Sequence, residues 1–300
     1  MKLVQFITGQ GNGIGYLTRD GAAVVPIAMA GDLREYPAED LMVRKIYDYA
    51  DHPDRLEKDL LCGCSETAIP LSEVTIKAPI LRPAHDVLCV GINYMEHVKE
   101  STDGLKDEAL AKPPASTIYF SKRVHAMVGP EEKIINPWAL EKHLDYEAEL
   151  AVIIGKGGKD IPIEEVEDHI FGYSVFNDIS GRETQKDRIQ WFMGKSVDTY
   201  SCLGPVIVTK DELPFPLKLD VGSIVNGEKR QDGNTTMLMR DVPTLIHELS
   251  TYFTLEPGDI LATGTPSGVA MGMEEPKWMQ PGDVVECYVE GVGTLRNYVE

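Results

Sequence analysis

Three acidic side chains are the strongest candidates for chemistry in this sequence: Glu147, Glu149 and Asp178. Glu147 and Glu149 lie two residues apart in Leu144–Gly155 (LDYEAELAVIIG), whose alternation and β-branched end predict a strand. Residues i and i+2 of a strand share a face, so these carboxylates would lie close together and repel each other. A divalent cation is the strongest compensation for that repulsion. The alternative is a solvated edge strand whose charges face water.

Asp178 ends a second predicted strand, Gly172–Asp178 (GYSVFND). With the two glutamates it would offer three hard oxygen ligands, which suit an octahedral Mg²⁺ or Mn²⁺ site completed by water or substrate. Ligand type alone does not exclude Ca²⁺. A structural role is the alternative, because Asn177-Asp178 is typical of a turn.

His97 and Glu100 are the candidates for acid–base chemistry. They lie three residues apart in a predicted short helix over Asn93–Glu100 (NYMEHVKE), so they would share a helix face. A carboxylate beside an imidazole fixes its tautomer and raises its basicity, as a general base requires. An exposed His–Glu pair without function is an equally good interpretation of the sequence alone.

Two further segments carry residues that could hold an anion. Lys195 follows a glycine in FMGKS, where it would contact an anionic oxygen or be solvated. Gly264–Gly268 (GTPSG) predicts a tight turn, in which the Thr265 hydroxyl and backbone N–H groups could hold a carboxylate. An ordinary turn is the alternative.

The composition excludes several functional classes. A formal net charge of −19 disfavours nucleic acid, because a phosphate backbone requires Lys and Arg. No apolar run approaches the ~18–20 residues that span a bilayer, and the N-terminus lacks a signal-peptide pattern. We therefore expect a cytoplasmic protein without a membrane partner. The five cysteines are odd in number, and Cys62-Gly-Cys64 lacks a second pair, so neither a zinc motif nor a disulfide framework is predicted.

The elements that must position these residues are mostly short strands joined by turns. Residues 2–27 predict a hairpin with strands LVQFIT, GIGYLT and AAVVPI and a turn over Gly9–Gly15, and residues 39–50 predict a helix. The glycine cluster does not match the G-x-G-x-x-G dinucleotide motif. We place a domain boundary near residue 80, which gives a small α/β N-terminal domain (1–80) and a larger domain (81–300).

The larger domain is predicted to be mainly β with a few short helices. Asn226-Gly227 indicates a hairpin, and Asp241 is a predicted N-cap of a helix. Residues 101–116 are polar and suggest a lid. Frequent strands joined by tight turns favour a closed or folded-over sheet over a doubly wound parallel one.

Several of these stretches occur together in one known family. VLCVGINYMEHVKE, IYFSK, LDYEAELAVIIG, GYSVFNDISGRETQ, GKS and GDILATGTPSGV follow in this order. Their order and spacing resemble the fumarylacetoacetate hydrolase family from about Lys77 to the C-terminus. The resemblance implies a mixed β-sandwich roll, usually dimeric, preceded here by a short N-terminal domain.

The resemblance also implies roles for individual residues. It assigns Glu147, Glu149 and Asp178 as ligands of Mg²⁺ or Mn²⁺, His97 and Glu100 as a dyad on a lid segment, Lys195 as the active-site lysine, and Arg182, Gln185 and Thr265 as lining the substrate site. A further acidic ligand of the eukaryotic-type fumarylacetoacetases has no match in this chain.

The function expected from the residues and the resemblance is metal-dependent hydrolysis of the C–C bond of an acylpyruvate through an enolate. The same site without attack by water would decarboxylate oxaloacetate, and proton transfer alone would isomerise or tautomerise a 2-oxo diacid. A non-catalytic metabolite-binding protein is the third hypothesis. We expect a small 2-oxo acid as substrate and a homodimer as the assembly.

Overall fold

The computed structural model describes residues 1–30, 40–62, 68–98, 100 and 116–300. The strands are β1 (Lys2–Thr8), β2 (Gly11–Leu17), β3 (Ala23–Ala30), β4 (Ile69–Pro70), β5 (Thr75–Lys77), β6 (Val87–Val90), β7 (Tyr119–Lys122), β8 (Lys133–Ile134), β9 (Leu144–Asp145), β10 (Ala148–Ile154), β11 (Ile170–Asp178), β12 (Ser180–Gly181), β13 (Ser201–Thr209), β14 (Asp220–Val225), β15 (Glu228–Asn234), β16 (Ile260–Ala262), β17 (Val284–Val289) and β18 (Gly293–Val299).

The helices are α1 (Leu41–Asp51), α2 (Pro53–Cys62), α3 (Val166–His169), α4 (Arg182–Lys186), α5 (Phe192–Lys195) and α6 (Val242–Tyr252). Short 3₁₀ turns cover Leu71–Glu73, Ile163–Glu165, Lys210–Glu212, Thr235–Met237 and Ala270–Gly272, and residues 95–98 are helical. In the part of the chain so described, no helix is long and apolar enough to cross a membrane.

Two sheets form the body of the molecule. The larger has the order β4-β3-β2-β1-β13-β11-β10-β16-β6-β7, with β5 also pairing with β1. The smaller has the order β15-β14-β17-β18-β8, and β9 pairs with β12 in a separate ribbon. The pairs β16–β6 and β18–β8 are parallel, so the architecture is mixed. The expected mainly β fold with short helices is confirmed.

Strand β10 is buried on both faces, which explains its uninterrupted apolar sequence. Leu150 and Val152 point into the core that also contains residues of the smaller sheet, such as Val221 and Val285. Ala151 and Ile153 point into a second core, which also contains buried residues of α1. The strand therefore forms the centre of a three-layer arrangement, and the candidate ligands lie at its N-terminal end.

Two local predictions are confirmed at the level of single residues. Asn226 and Gly227 have φ values of 51° and 80°, as a type I′ turn between β14 and β15 requires. The Asp241 side chain accepts the backbone N–H of Thr244 at 3.0 Å and caps α6.

The predicted turn over Gly9–Gly15 is wrong, because the chain turns at Gly9–Gln10 and β2 already begins at Gly11. The glycines in β2 serve close packing: a Cβ on Gly13 would lie 2.6 Å from the Met29 sulfur. Small residues are thus required inside this strand.

The domain boundary near residue 80 stays a prediction; β1 and β13, from its two sides, pair in one sheet. Residues 101–115 of the predicted lid lie outside the described residues, as does Cys64 of the Cys-Gly-Cys sequence. Cys89, Cys202 and Cys287 are buried free thiols.

Candidate active site

The structure brings Glu147, Glu149 and Asp178 together. One carboxylate oxygen from each lies within 4.8 Å of the others, and all three side chains are buried. Glu147 precedes β10 rather than belonging to it; its carbonyl accepts the Asp178 N–H at 2.9 Å, and its own N–H donates to Asn177 Oδ1 at 3.0 Å. The pairing of β10 with β11 thus places the end of one strand against the start of the other.

Lys195 lies between two of these carboxylates. Its Nζ donates to Glu147 Oε2 at 2.7 Å and to Asp178 Oδ2 at 2.8 Å. Burial lowers the pKa of Lys195, but the two carboxylates outweigh that effect and raise it above its ordinary value. The lysine predicted from FMGKS is therefore a buried cation at the centre of the cluster.

Lys122 is a second buried cation, which sequence reasoning did not single out. Its Nζ donates to Asp178 Oδ1, to the Ile179 carbonyl at 3.0 Å and to the Tyr200 carbonyl at 2.7 Å. All three donors of the ammonium group are therefore used. The sequence feature that could have identified Lys122 is its position at the end of β7, next to the buried strand β6.

Arg182, at the start of α4, also points into the cluster. Its Nη2 lies 2.6 Å from Glu147 Oε1, its Nε donates to Asp145 Oδ2 at 3.0 Å and its Nη1 donates to Gln185 Oε1 at 2.9 Å. Arg182 and Gln185 therefore adjoin the predicted ligands. Their contact with substrate stays a prediction.

Glu149 has a different environment from Glu147. Within the described part of the chain, its hydrogen-bond partner is a backbone N–H, that of Gly264, at 2.8 Å. Burial raises the pKa of Glu149, and the neighbouring charges of Asp178 and Glu147 raise it further. For Glu147, burial also acts to raise the pKa, but Lys195 and Arg182 outweigh it and hold the pKa below its usual range.

His97 and Glu100 form the predicted pair. His97 Nδ1 lies 3.1 Å from Glu100 Oε2, and His97 is 2 % exposed, so the pair is not a solvated surface contact. Glu100 Oε1 accepts the N–H of Gly268 at 2.8 Å. In its protonated form, His97 would act with Lys195 and Arg182 to lower the pKa of Glu147.

Thr265 lies behind the cluster. Its hydroxyl donates to the Ala148 carbonyl at 2.9 Å and accepts from Gln231 Nε2 at 2.7 Å, while Gln231 Oε1 accepts the Ala148 N–H at 3.0 Å. These bonds fix the start of β10. In the structure Thr265 thus supports the strand that carries Glu149, and its contact with substrate stays a prediction.

Aromatic side chains line one wall of the site. Lys195 Nζ is 5.1 Å from the centre of the Phe120 ring, and Phe120 meets Trp191 edge-to-face at 5.5 Å. Trp191 packs on Gly91 so closely that a Cβ there would lie 2.5 Å from its ring. This wall would exclude water from one side of Lys195 and strengthen its electrostatic interactions.

The donor set fits a divalent cation. The cluster contains four buried carboxylates and three buried cationic side chains: Asp145, Glu147, Glu149 and Asp178, with Lys122, Lys195 and Arg182. One negative charge is thus left without a cationic partner in the cluster. Three carboxylates that converge on one point are the hard oxygen ligands that Mg²⁺, Mn²⁺ and Ca²⁺ accept.

Comparisons with known sequences identify a family. A family model described as fumarylacetoacetate (FAA) hydrolase C-terminal matches residues 86–300. The oxaloacetate tautomerase YisK of Bacillus subtilis (strain 168) is 41% identical over 229 residues, which cover 76% of this chain and 74% of that protein.

Comparisons with solved structures extend over the whole chain. A fumarylacetoacetate hydrolase from psychrophilic Exiguobacterium antarcticum has a TM-score of 0.81 and 36% identity, covering 100% of this chain and 99% of that one. Maleylpyruvate hydrolase from Sphingobium sp. SYK-6, solved with manganese(II) and pyruvate, has a TM-score of 0.76 and 27% identity, covering 100% and 98%.

Proposed function

The chain belongs to the fumarylacetoacetate hydrolase family, and from that premise we propose that it is a metal-dependent enzyme that enolises a small 2-oxo acid. The observation that carries the proposal is the convergence of Glu147, Glu149 and Asp178 within 4.8 Å, beside a buried lysine. A binding protein has no need of a paired histidine at the same place.

Glu147, Glu149 and Asp178 would hold Mg²⁺ or Mn²⁺. When bound, the ion would supply Lewis-acid stabilisation of the negative charge that develops on the 2-oxo oxygen. Lys195 would add to this stabilisation. Of its three N–H donors, Glu147 and Asp178 take two, so one can face a substrate oxygen.

His97 would move the proton. Its Nδ1 lies 3.1 Å from Glu100 Oε2, and the proposal assigns the proton transfer to the other ring nitrogen, Nε2. In tautomerisation, His97 takes a proton from carbon 3 of the oxo form while the carbonyl electrons move to the 2-oxygen. A proton delivered to that oxygen completes the enol, and the reverse sequence restores the oxo form.

Oxaloacetate is the first candidate substrate, because the relative that is 41% identical is an oxaloacetate tautomerase. Hydrolysis of an acylpyruvate is the second candidate. It is favoured by the likeness to a maleylpyruvate hydrolase and by the buried dyad, which could take a proton from a water that attacks the 4-oxo carbon. Cleavage of the C3–C4 bond would then release pyruvate enolate and an acid.

One experiment separates these outcomes. The ultraviolet absorbance of enol-oxaloacetate reports tautomerisation, and pyruvate release from acetylpyruvate and from oxaloacetate reports hydrolysis and decarboxylation. Each is measured with Mg²⁺, Mn²⁺ or EDTA. Loss of the enol signal without pyruvate supports the tautomerase, and pyruvate from acetylpyruvate supports the hydrolase. Equal turnover in EDTA would contradict the metal-dependent site.

His97→Gln tests the role of the base. Tautomerisation and hydrolysis both begin with proton transfer to His97, so we expect both to fall by about 10²- to 10⁴-fold. Decarboxylation of oxaloacetate needs no proton removed before the bond breaks and should survive. Equal loss of all three activities would contradict this division of roles.

We also propose that the protein is a cytoplasmic homodimer. Light scattering coupled to size-exclusion chromatography measures the molar mass of the assembly directly. A mass of one 33.2 kDa chain would contradict the dimer.

A further inference from the structure

One segment of the chain binds carboxylates from both halves of the candidate site. Residues 264–272, which we call the carboxylate-binding segment, follow strand β16. Their backbone N–H groups donate as follows: Gly264 to Glu149 at 2.8 Å, Gly268 to Glu100 at 2.8 Å, Ala270 to Asp145 at 2.8 Å and Met271 to Asp145 at 3.0 Å. Because Asp145 pairs with Arg182, this segment connects the dyad to the metal-ligand cluster.

Gly272, the last residue of this segment, lies directly against Glu100. A Cβ on Gly272 would lie 2.5 Å from both Cδ and Cγ of Glu100 and 2.7 Å from its Cβ. Non-bonded carbon atoms prefer separations of about 3.5–4.0 Å, so a methyl group would displace Glu100 or the segment by about 1 Å.

The requirement for glycine here is one of space. Gly272 ends the 3₁₀ turn Ala270–Gly272 and does not have a left-handed φ. Its backbone conformation is therefore available to alanine without strain. The contact with Glu100 is the feature that a side chain would disturb.

We propose that Gly272 is a positioning residue for the dyad: its missing side chain lets Glu100 reach His97 Nδ1 and the Gly268 N–H at the same time. Glu100 then favours the tautomer of His97 that carries its proton on Nδ1. The inference rests on the proposed function for the catalytic role of His97. The placement of Glu100 does not.

The first test measures which nitrogen of the His97 imidazole carries the proton, rather than turnover. Protein labelled with ¹⁵N-histidine is compared as wild type and as Gly272→Ala, and the His97 signal is assigned from the spectrum of His97→Gln. We expect the wild-type His97 to carry its proton on Nδ1 and the Gly272→Ala protein to show a shifted or mixed tautomer. An unchanged His97 signal would overturn the proposal.

The second test measures turnover of the substrate that the assays of the proposed function identify. A displacement of Glu100 by about 1 Å can cost about 10²-fold in rate. We therefore expect kcat to fall by about 10- to 100-fold, with KM changed by less than about twofold. Mn²⁺ affinity, measured by electron paramagnetic resonance, should stay within about twofold because no predicted ligand moves. Gly9→Ala is the matched control, since nothing lies within 4 Å of that position.

A double-mutant cycle separates positioning from general support of the fold. If Gly272 acts through Glu100, Gly272→Ala should have no further effect on kcat in a Glu100→Gly protein, which lacks all three of the contacting carbons. An equal loss in both backgrounds would overturn the proposal. If Gly272→Ala alone does not fold, a folded Glu100→Gly/Gly272→Ala protein supports the clash with Glu100. Failure of the double variant to fold, while Glu100→Gly folds, contradicts it.

The two proposals fail in different ways. If the wild-type protein enolises no 2-oxo acid but its His97 signal moves in Gly272→Ala, the proposed function fails and the positioning of Glu100 stands. If turnover is found and the His97 signal does not move, the positioning role fails alone.

Discussion

Asp40 and Glu149 are both buried carboxylates, but their partners differ. Asp40 accepts four backbone N–H groups, those of Met42, Val43, Leu81 and Arg82. Glu149 accepts one, from Gly264, and lies beside the like charges of Asp178 and Glu147. Burial raises the pKa of Asp40 and that of Glu149 alike, so the direction of the shift does not distinguish the two sites.

The number and kind of donors do distinguish them. Asp40 caps helix α1 and ties it to residues 81–82, which leaves its oxygens fully used by the fold. Among the residues that the structure describes, Glu149 accepts one N–H group through Oε2, and it lies next to two other carboxylates. A buried carboxylate with unused oxygens is a candidate for function, whereas one satisfied by backbone N–H groups is a structural element.

Glu149→Gln should give the largest effect, and it should fall on activity. The change removes one negative charge from the predicted metal ligands. We expect this to cost several kcal/mol of transition-state stabilisation, which corresponds to a fall in kcat/KM of about 10²- to 10³-fold. The melting temperature measured without metal should stay the same or rise, because repulsion with Asp178 is relieved. A large drop in melting temperature with activity retained would place Glu149 in the same class as Asp40.

Asp40→Asn should show the reverse pattern. The amide cannot accept four N–H groups, so buried donors lose their partner and the free energy of unfolding should fall by about 2–4 kcal/mol. Urea denaturation measures this loss, and kcat of the folded fraction should be unchanged. A lowered kcat with unchanged stability would contradict the structural role.

Lys122→Met tests a residue with both a functional and a structural contact. Lys122 donates hydrogen bonds to Asp178, a predicted metal ligand, and to two backbone carbonyls. Loss of a group that orients a metal ligand typically costs about 10- to 100-fold in metal affinity. We expect a weakening of Mn²⁺ binding in this range by electron paramagnetic resonance. Lys133→Met, at an exposed lysine, is the control and should bind Mn²⁺ as the wild type does.

His85→Gln should give the smallest effect, and it should depend on pH. Asp259 accepts the Glu256 N–H and also pairs with His85 at 2.7 Å, which raises the pKa of His85 above 6.5. This pair therefore stabilises the fold fully below pH ~6.5 and loses its contribution as pH rises through the higher folded pKa.

The imidazole is half exposed, so solvent screening limits the contribution to less than about 1 kcal/mol. We expect His85→Gln to lower the free energy of unfolding at pH 6 and to leave it almost unchanged at pH 9. An equal effect at both values would show that the pair contributes through packing rather than charge.

The contrast between the two carboxylates also shows what the sequence could predict. Alternation placed Glu147 and Glu149 side by side, and the spacing of His97 and Glu100 predicted their pairing. These inferences depend on neighbours along the chain, which local periodicity encodes. The hairpin at Asn226-Gly227 was predictable for the same reason.

The partners of Asp40 and Asp178 were not predictable in this way. Lys122 contacts Asp178 from another strand, and the backbone N–H of Arg82 contacts Asp40 from 42 residues further along the chain. The glycines of β2 are typical of a turn by composition, but Gly13 is required for close packing inside the strand. Long-range contacts of this kind depend on the completed fold.

The pairing of β1 with β13 has a consequence for synthesis of the protein on the ribosome. Lys2 pairs with Val208, which is translated about two hundred residues later. At about 5–20 residues per second, this strand waits about 10–40 s for its partner. Strands β2 and β5 can join β1 early, but its first two residues keep an open hydrogen-bonding edge. A nascent chain halted before residue 201 therefore exposes this edge to chaperones and to other nascent chains.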